Sequence, residues 1–253
     1  MMARMEAQSI DEVIAALDAI ITDARQSANR LGYFAALYRR VTRAVKDGIA
    51  AGRFQDGGRM GRLDVIFANR YLDALSEYRA GRQPTHSWAV AFAGAANPLP
   101  IVLQQLLAGI NAHINLDLGI AAATTSQGAP IAALQADFNQ INAVLAEQVG
   151  AVEMEMAEIS PLIGLLEKCG LTTETCLINF SLNKARDCAW SRALQLTATP
   201  QCRWNALIAQ LDLEVAILGQ MVLTPTPDIA MQLAPIRAAE SGNVRKNIEV
   251  LSG

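Results

Sequence analysis

The stretch PIVLQQLLAGINAHINLDLGIAAA, Pro100 to Ala123, decides the fold. It reads as a helix buried on most sides, yet it carries Gln104, Gln105, Asn111, His113, Asn115 and Asp117. Asp117 is the only Asp, Glu, Lys or Arg between Arg82 and Asp137. At about 100° per residue, Gln104, Asn111 and Asn115 fall on one side of such a helix, and His113 and Asp117 on nearly the opposite side. Two polar stripes separated by apolar residues need different neighbours on each side, because buried polar groups must find hydrogen bonds. The pattern therefore predicts a central helix over about 101–124. The same polar interruptions argue against a membrane span.

Outward from this segment, every periodic stretch is helical. Ser9 and Glu12 form a capping-box pattern ahead of a helix over about 10–26. LGYFAALYRRVTRAVKDGIAAG gives a second helix, ending at Gly52, and GRFQDGGRMG leads into a third over about 62–79. Further helices are expected at 87–95, 131–158, a short one to 168, 174–196, 204–223 and 228–251, the last with a break at ESGN. No strand pattern and no fixed-period repeat occurs. The expectation is an all-α, irregular multi-helix bundle forming one domain over 1–253.

Hydrophobic residues make up 52% of the 253-residue chain and charged ones 18%, below the roughly 25% usual in soluble proteins, so interior positions are plentiful. A net charge of -3 with scattered Lys and Arg gives no phosphate-tracking stripe, and no nucleic-acid partner is expected. MMARMEAQSIDEVIAALDAII lacks the uninterrupted apolar core of a secretory signal. Cys169, Cys176, Cys188 and Cys202 have no CxxC spacing, and four buried thiols in a reducing cytoplasm are expected.

His113 and Asp117, at i and i+4, can meet on one helix face. The carboxylate then either locks packing or orients a histidine that serves as acid, base or metal ligand. A buried carboxylate needs a partner from elsewhere in the chain. Asn69, Asp73 and Arg70 on one helix are candidates, as is Arg186 near Trp190 on another; Arg186 is the first choice, and the alternative for Arg70 is a pairing with Asp73 or Glu77 on a solvated face. The spaced aromatics Trp88 with Phe92, and Phe67 with Tyr71, are read as core. No GxSxG elbow, glycine-rich phosphate loop or DDxxD motif is present.

FANRYLDALSEYRAG, WAVAFAGA, LQQLLAGINAHINLDLGIA and ARDCAWSRA, in this order, resemble the blocks of a bacterial all-helical family known only as a domain of unknown function. The resemblance runs over roughly 34–196 and implies a fold, with no activity to carry over. A more distant resemblance is to the helical zinc-dependent phospholipase C and nuclease group. With only His86 and His113 in the chain, its histidine-rich trinuclear site cannot be assembled, which leaves at most a divalent metal on His113, Asp117 and Asp73.

The sequence thus points to a cytoplasmic enzyme acting on a largely apolar small molecule, with His113 as acid/base and Asp117 orienting it. Asn69, Asp73, Asn111, Asn115, Arg186 and Trp190 would line or support the site. The alternatives are a metal-dependent ester or phosphoester hydrolase and a noncatalytic ligand-binding or interaction protein.

Overall fold

The computed structural model describes residues 6–164 and 182–253, and among these the chain is all-α with no strand. The helices are α1 (Ile10–Ser27), α2 (Leu31–Ala50), α3 (Gly57–Arg79), α4 (His86–Ala96) and α5 (Val102–Ile110). A π-helical segment, Asn111–Leu118, joins α5 directly to α6 (Gly119–Thr125). Then come α7 (Gln135–Ile159), α8 (Leu182–Ala198), α9 (Trp204–Leu223), α10 (Pro227–Ala239) and α11 (Val244–Ser252). The expected short helix to 168 and the first part of the helix over 174–196 fall largely outside the described residues.

α5, the π segment and α6 form one continuous rod, which touches α2, α3, α4, α8 and α9. Its α5 end joins α1–α4 and α11 in one hydrophobic cluster, and its α6 end joins α3, α7, α8 and α9 in a second. The sequence expectation of a plain α-helix here is corrected over eight residues. In a π-helix each N–H reaches the carbonyl five residues back rather than four, a pattern that periodicity in the side chains does not reveal. Two glycines bracket it. A Cβ on Gly109 would sit 2.6 Å from the Phe34 ring, and one on Gly119 would sit 2.8 Å from the Ala189 carbonyl oxygen of α8. Gly119→Ala is therefore expected to force the rod away from α8 at a cost of ~1–3 kcal/mol, read as a lowered thermal midpoint.

Several helix starts are fixed by carboxylates distant in sequence. Asp137 on α7 accepts from the backbone N–H of Gln55 at 2.6 Å and of Asp56 at 3.0 Å, and from Arg59 at 2.9 Å. With Asp56 capping Arg59 N–H as well, α3 begins five residues earlier than the sequence suggests, through a glycine-rich turn that would otherwise stay open. Asp212 on α9 similarly accepts from the N–H groups of His86 and Ser87 at the head of α4, and Glu240 accepts from Val102 at the head of α5. Ser9 caps α1, but Glu12 reaches back to Gln8 N–H. The C-terminal helix is broken between Ala239 and Val244, where ESGN stands.

Two helices, 102–125 and 201–223, are long and apolar enough to cross a membrane by length and composition, because their few polar residues barely lower the mean hydropathy. The first is the central rod, 89% buried inside the protein over its most apolar window. The second is only 33% buried there, and Leu213, Ile217 and Met221 form an exposed apolar stripe along α9. Of the cysteines, Cys188 is half-buried and Cys202 exposed, both as free thiols, which corrects the expectation of buried thiols at Cys202. Cys169 and Cys176 lie outside the described residues.

Candidate functional site

The two polar stripes of the central rod serve different neighbours. On one side Asn111 donates to the Val215 carbonyl of α9 at 2.8 Å, and Asn115 donates to Asn111 Oδ1 at 2.9 Å. Arg192 of α8 donates to the Asn115 carbonyl. Gln104 accepts from Ile101 N–H and donates to the Val222 carbonyl at 2.7 Å. These amides are consumed in tying the rod to α8 and α9.

On the other side stands Asp117, with no solvent exposure. Its Oδ1 accepts from Arg70 Nε at 2.6 Å and its Oδ2 from the indole N–H of Trp88 at 2.7 Å. His113 Nδ1 lies 3.5 Å from Oδ2, but the contact does not meet hydrogen-bond geometry, and both ring nitrogens are buried without a hydrogen-bond partner among the described residues. Burial pushes the Asp117 carboxyl up, while Arg70, His113 and the Trp88 N–H together hold it below the usual carboxylate range. Burial pulls the imidazole below its ordinary value against the attraction of Asp117, so His113 is neutral at pH 7.

Aromatic rings surround that imidazole. Phe67 stacks on it at 3.5 Å with planes 8° apart, Tyr38 meets it edge-on at 4.4 Å, and Phe34 and Trp88 stand at 5.6 and 5.9 Å. Phe67 stacks on the site and Tyr71 meets it edge-on at 6.4 Å, as well as filling core, because α3 presents that face to the rod.

His113 borders a cavity of about 890 Å³ between α2, α3, the rod, α7 and the start of α8. Its wall is mostly aliphatic and aromatic, with Val41, Leu63, Leu118, Ile141 and Val152 among the lining residues. Against this apolar wall stand Tyr38, Asp64, His113 and Arg186, each with at least one buried polar atom that has no partner among the described residues: the Tyr38 hydroxyl, Asp64 Oδ2, both His113 nitrogens and Arg186 Nε. Burial alone pushes the Asp64 carboxyl up to about 7, and burial, helped by the nearby Asp64 and Asp117 carboxylates, pushes Tyr38 well above the usual phenol range. It also lowers Arg186 to about 10.

The sequence-derived candidates separate accordingly. His113, Asp117 and Arg70 come together. Arg186 does not reach Asp117: it donates to the Phe138 carbonyl and lies over the Phe138 ring at 4.7 Å. Asp117 is served by Arg70 instead: α3 packs on the Asp117 side of the rod, while α8 meets the rod through Arg192 at the Asn115 carbonyl. Trp190 packs on Phe138 at 4.9 Å. Asn69 clamps the backbone of Ala7 through both amide atoms, and Asp73 is not among the cavity residues. Among the described residues no group of three or more His, Cys, Asp and Glu side chains converges as a metal site. With both Asp117 oxygens already engaged by Arg70 and Trp88, the donor set does not fit a divalent ion on His113, Asp117 and Asp73.

A family profile described as a family of unknown function, DUF5995, matches residues 10–225. The chain belongs to DUF5995. The match runs from α1 past the end of α9, so the DUF5995 region holds the whole rod, Asp117 with its partners, and every lining residue named above. No curated protein and no solved structure matches the chain.

Within the DUF5995 region, Tyr38 and Asp64 were not singled out from sequence. A signal existed for Asp64. It follows Met60 by four residues and precedes Phe67 by three, which places a carboxylate on the apolar face of α3. Tyr38 follows Phe34 by four and is indistinguishable from core until the cavity beside it is seen.

Proposed function

We propose that this protein binds a largely apolar small molecule in the cavity between α2, α3, α7 and the central rod. The observation that carries this reading is the combination of about 890 Å³ of space with an apolar wall and a few unpartnered polar atoms. That volume lies toward the upper end of the ~300–1,000 Å³ typical of ligand sites, which are apolar with a few polar groups that fix orientation. An unpartnered buried polar atom costs free energy that a ligand's hydrogen bond recovers. The neutral fluorophore N-phenylnaphthylamine, whose emission rises in apolar surroundings, is expected to bind saturably at one site. Ile141→Trp, which extends a larger side chain from the wall, should abolish that signal while the far-UV spectrum and thermal midpoint stay close to wild type. Saturable binding unaffected by the filled wall would place the probe elsewhere and count against the cavity.

One observation favours a catalytic role on top of binding. His113 keeps both nitrogens unpartnered at the cavity wall, with Asp117 behind it held as a carboxylate by Arg70 and Trp88. A neutral imidazole backed by a carboxylate can accept a proton and be stabilised as it becomes charged. In a His86→Gln background, where His113 is the single histidine, diethyl pyrocarbonate should modify the ring slowly and bound N-phenylnaphthylamine should protect it. An imidazole inert in the folded protein, or one modified at the same rate with the probe bound, would leave binding without acid/base chemistry.

A further inference from the structure

From the cavity wall around Arg186 we infer that the ligand is a single-chain amphiphile with a carboxylate head, its chain lying along the apolar wall and its carboxylate meeting the Arg186 guanidinium. The inference rests on the binding reading above. Arg186 is only 4% exposed, and among the described residues no carboxylate lies within ion-pairing distance of it. Among the described residues its one hydrogen bond goes to the neutral Phe138 carbonyl, the ring beneath it supplies a cation–π contact, and Nε has no partner. Asp187, next in the chain, acts on it only through space without an ion-pair contact; a buried guanidinium with no paired carboxylate is costly, and bidentate carboxylate recognition is what its planar fork is suited to.

The other polar groups of the wall argue for the same placement. Asp64 and Glu153 also line the cavity, and a carboxylate ligand head is repelled by either when ionised, which leaves the Arg186 end as the favourable one. His113 is neutral, and Tyr38 offers one hydroxyl, so neither supplies a compensating positive charge. The apolar surface between them suits a chain with no polar group along its length.

The test compares laurate, dodecanol and dodecylamine, each below its micelle concentration, as displacers of N-phenylnaphthylamine from the full chain. Laurate is expected to displace about tenfold more tightly than dodecanol, the effect of one charge-assisted hydrogen-bonded contact, with dodecylamine weakest. Arg186→Gln should remove that preference by weakening laurate displacement, and Arg186→Lys should retain part of it. Dodecanol or dodecylamine binding as tightly as laurate overturns the inference without any variant, and so does an unchanged laurate preference in a folded Arg186→Gln protein. Absence of N-phenylnaphthylamine binding altogether overturns the binding reading itself, so the two failures are distinct.

Discussion

Asp117→Ala is expected to lower stability by ~3–5 kcal/mol, the range for removing one partner of a buried ion pair. In a protein of this length that is roughly a 10 °C fall in thermal midpoint. The carboxylate has no solvent contact, and it satisfies two donors from two other helices. Its loss leaves the Trp88 N–H, on a side chain 1% exposed, without an acceptor, at ~1–3 kcal/mol. It also leaves the Arg70 guanidinium uncompensated, although the Arg70 side chain is 26% exposed and water recovers part of that term. Asp117→Asn retains one acceptor oxygen and should fall between wild type and alanine. Arg70→Met in the Asp117→Ala background should restore part of the loss, and the double-mutant cycle in urea isolates the coupling. A loss below about 1 kcal/mol for Asp117→Ala would mean that the network does not hold α3 and α4 to the rod.

The partnership that makes Asp117 so costly to remove was half legible in the sequence. Its separation of four residues from His113 survives the change from α- to π-helix, because side chains four apart remain close on either. A lone charge inside 24 apolar-rich residues signalled a buried carboxylate in need of a cation. Which cation reaches it is a tertiary fact. Arg186 looked better because it lies toward Trp190 near the apolar edge of its helix, and it is indeed buried, but it lines the cavity wall. Arg70 sits among residues that read as a solvated face, and only the packing of α3 on the rod brings its Nε to Asp117.

The helical architecture was legible for a different reason: caps, glycines and prolines act within a few residues, so α1, α2, α9 and the break before α11 fall near where local chemistry puts them. Boundaries controlled from far away did not. The start of α3 depends on Asp137, roughly 80 residues on, and the π segment depends on hydrogen bonds of the backbone that no side-chain pattern encodes. The cavity was illegible for the same reason as Arg70. A void is a property of how α2, α3 and α7 meet the rod, and a residue such as Tyr38 has the same periodicity whether it faces a void or a packed core.

Asp64 makes that void measurable through pH. In the unfolded chain its carboxyl titrates near ~3.9, and burial pushes it up to about 7 in the folded protein. Between these values the unfolded state releases a proton that the folded state keeps, so this group's contribution to stability is fully present below about pH 4 and is lost as pH rises toward 7. Three pKa units correspond to up to ~4 kcal/mol. Asp64→Asn removes the titration, so the variant should gain on wild type steadily from pH 4 to pH 7, with the gap level above that. His113 contributes in the opposite sense, being held neutral when folded and gaining a proton on unfolding below about 6.5, but it does so in both proteins and cancels in the difference. Urea denaturation of the two proteins at pH 4, 5, 6, 7 and 8 reads that difference directly. A gap that stays flat across the series would mean that Asp64 has water or a partner in solution, and that the cavity wall beside it is not dry.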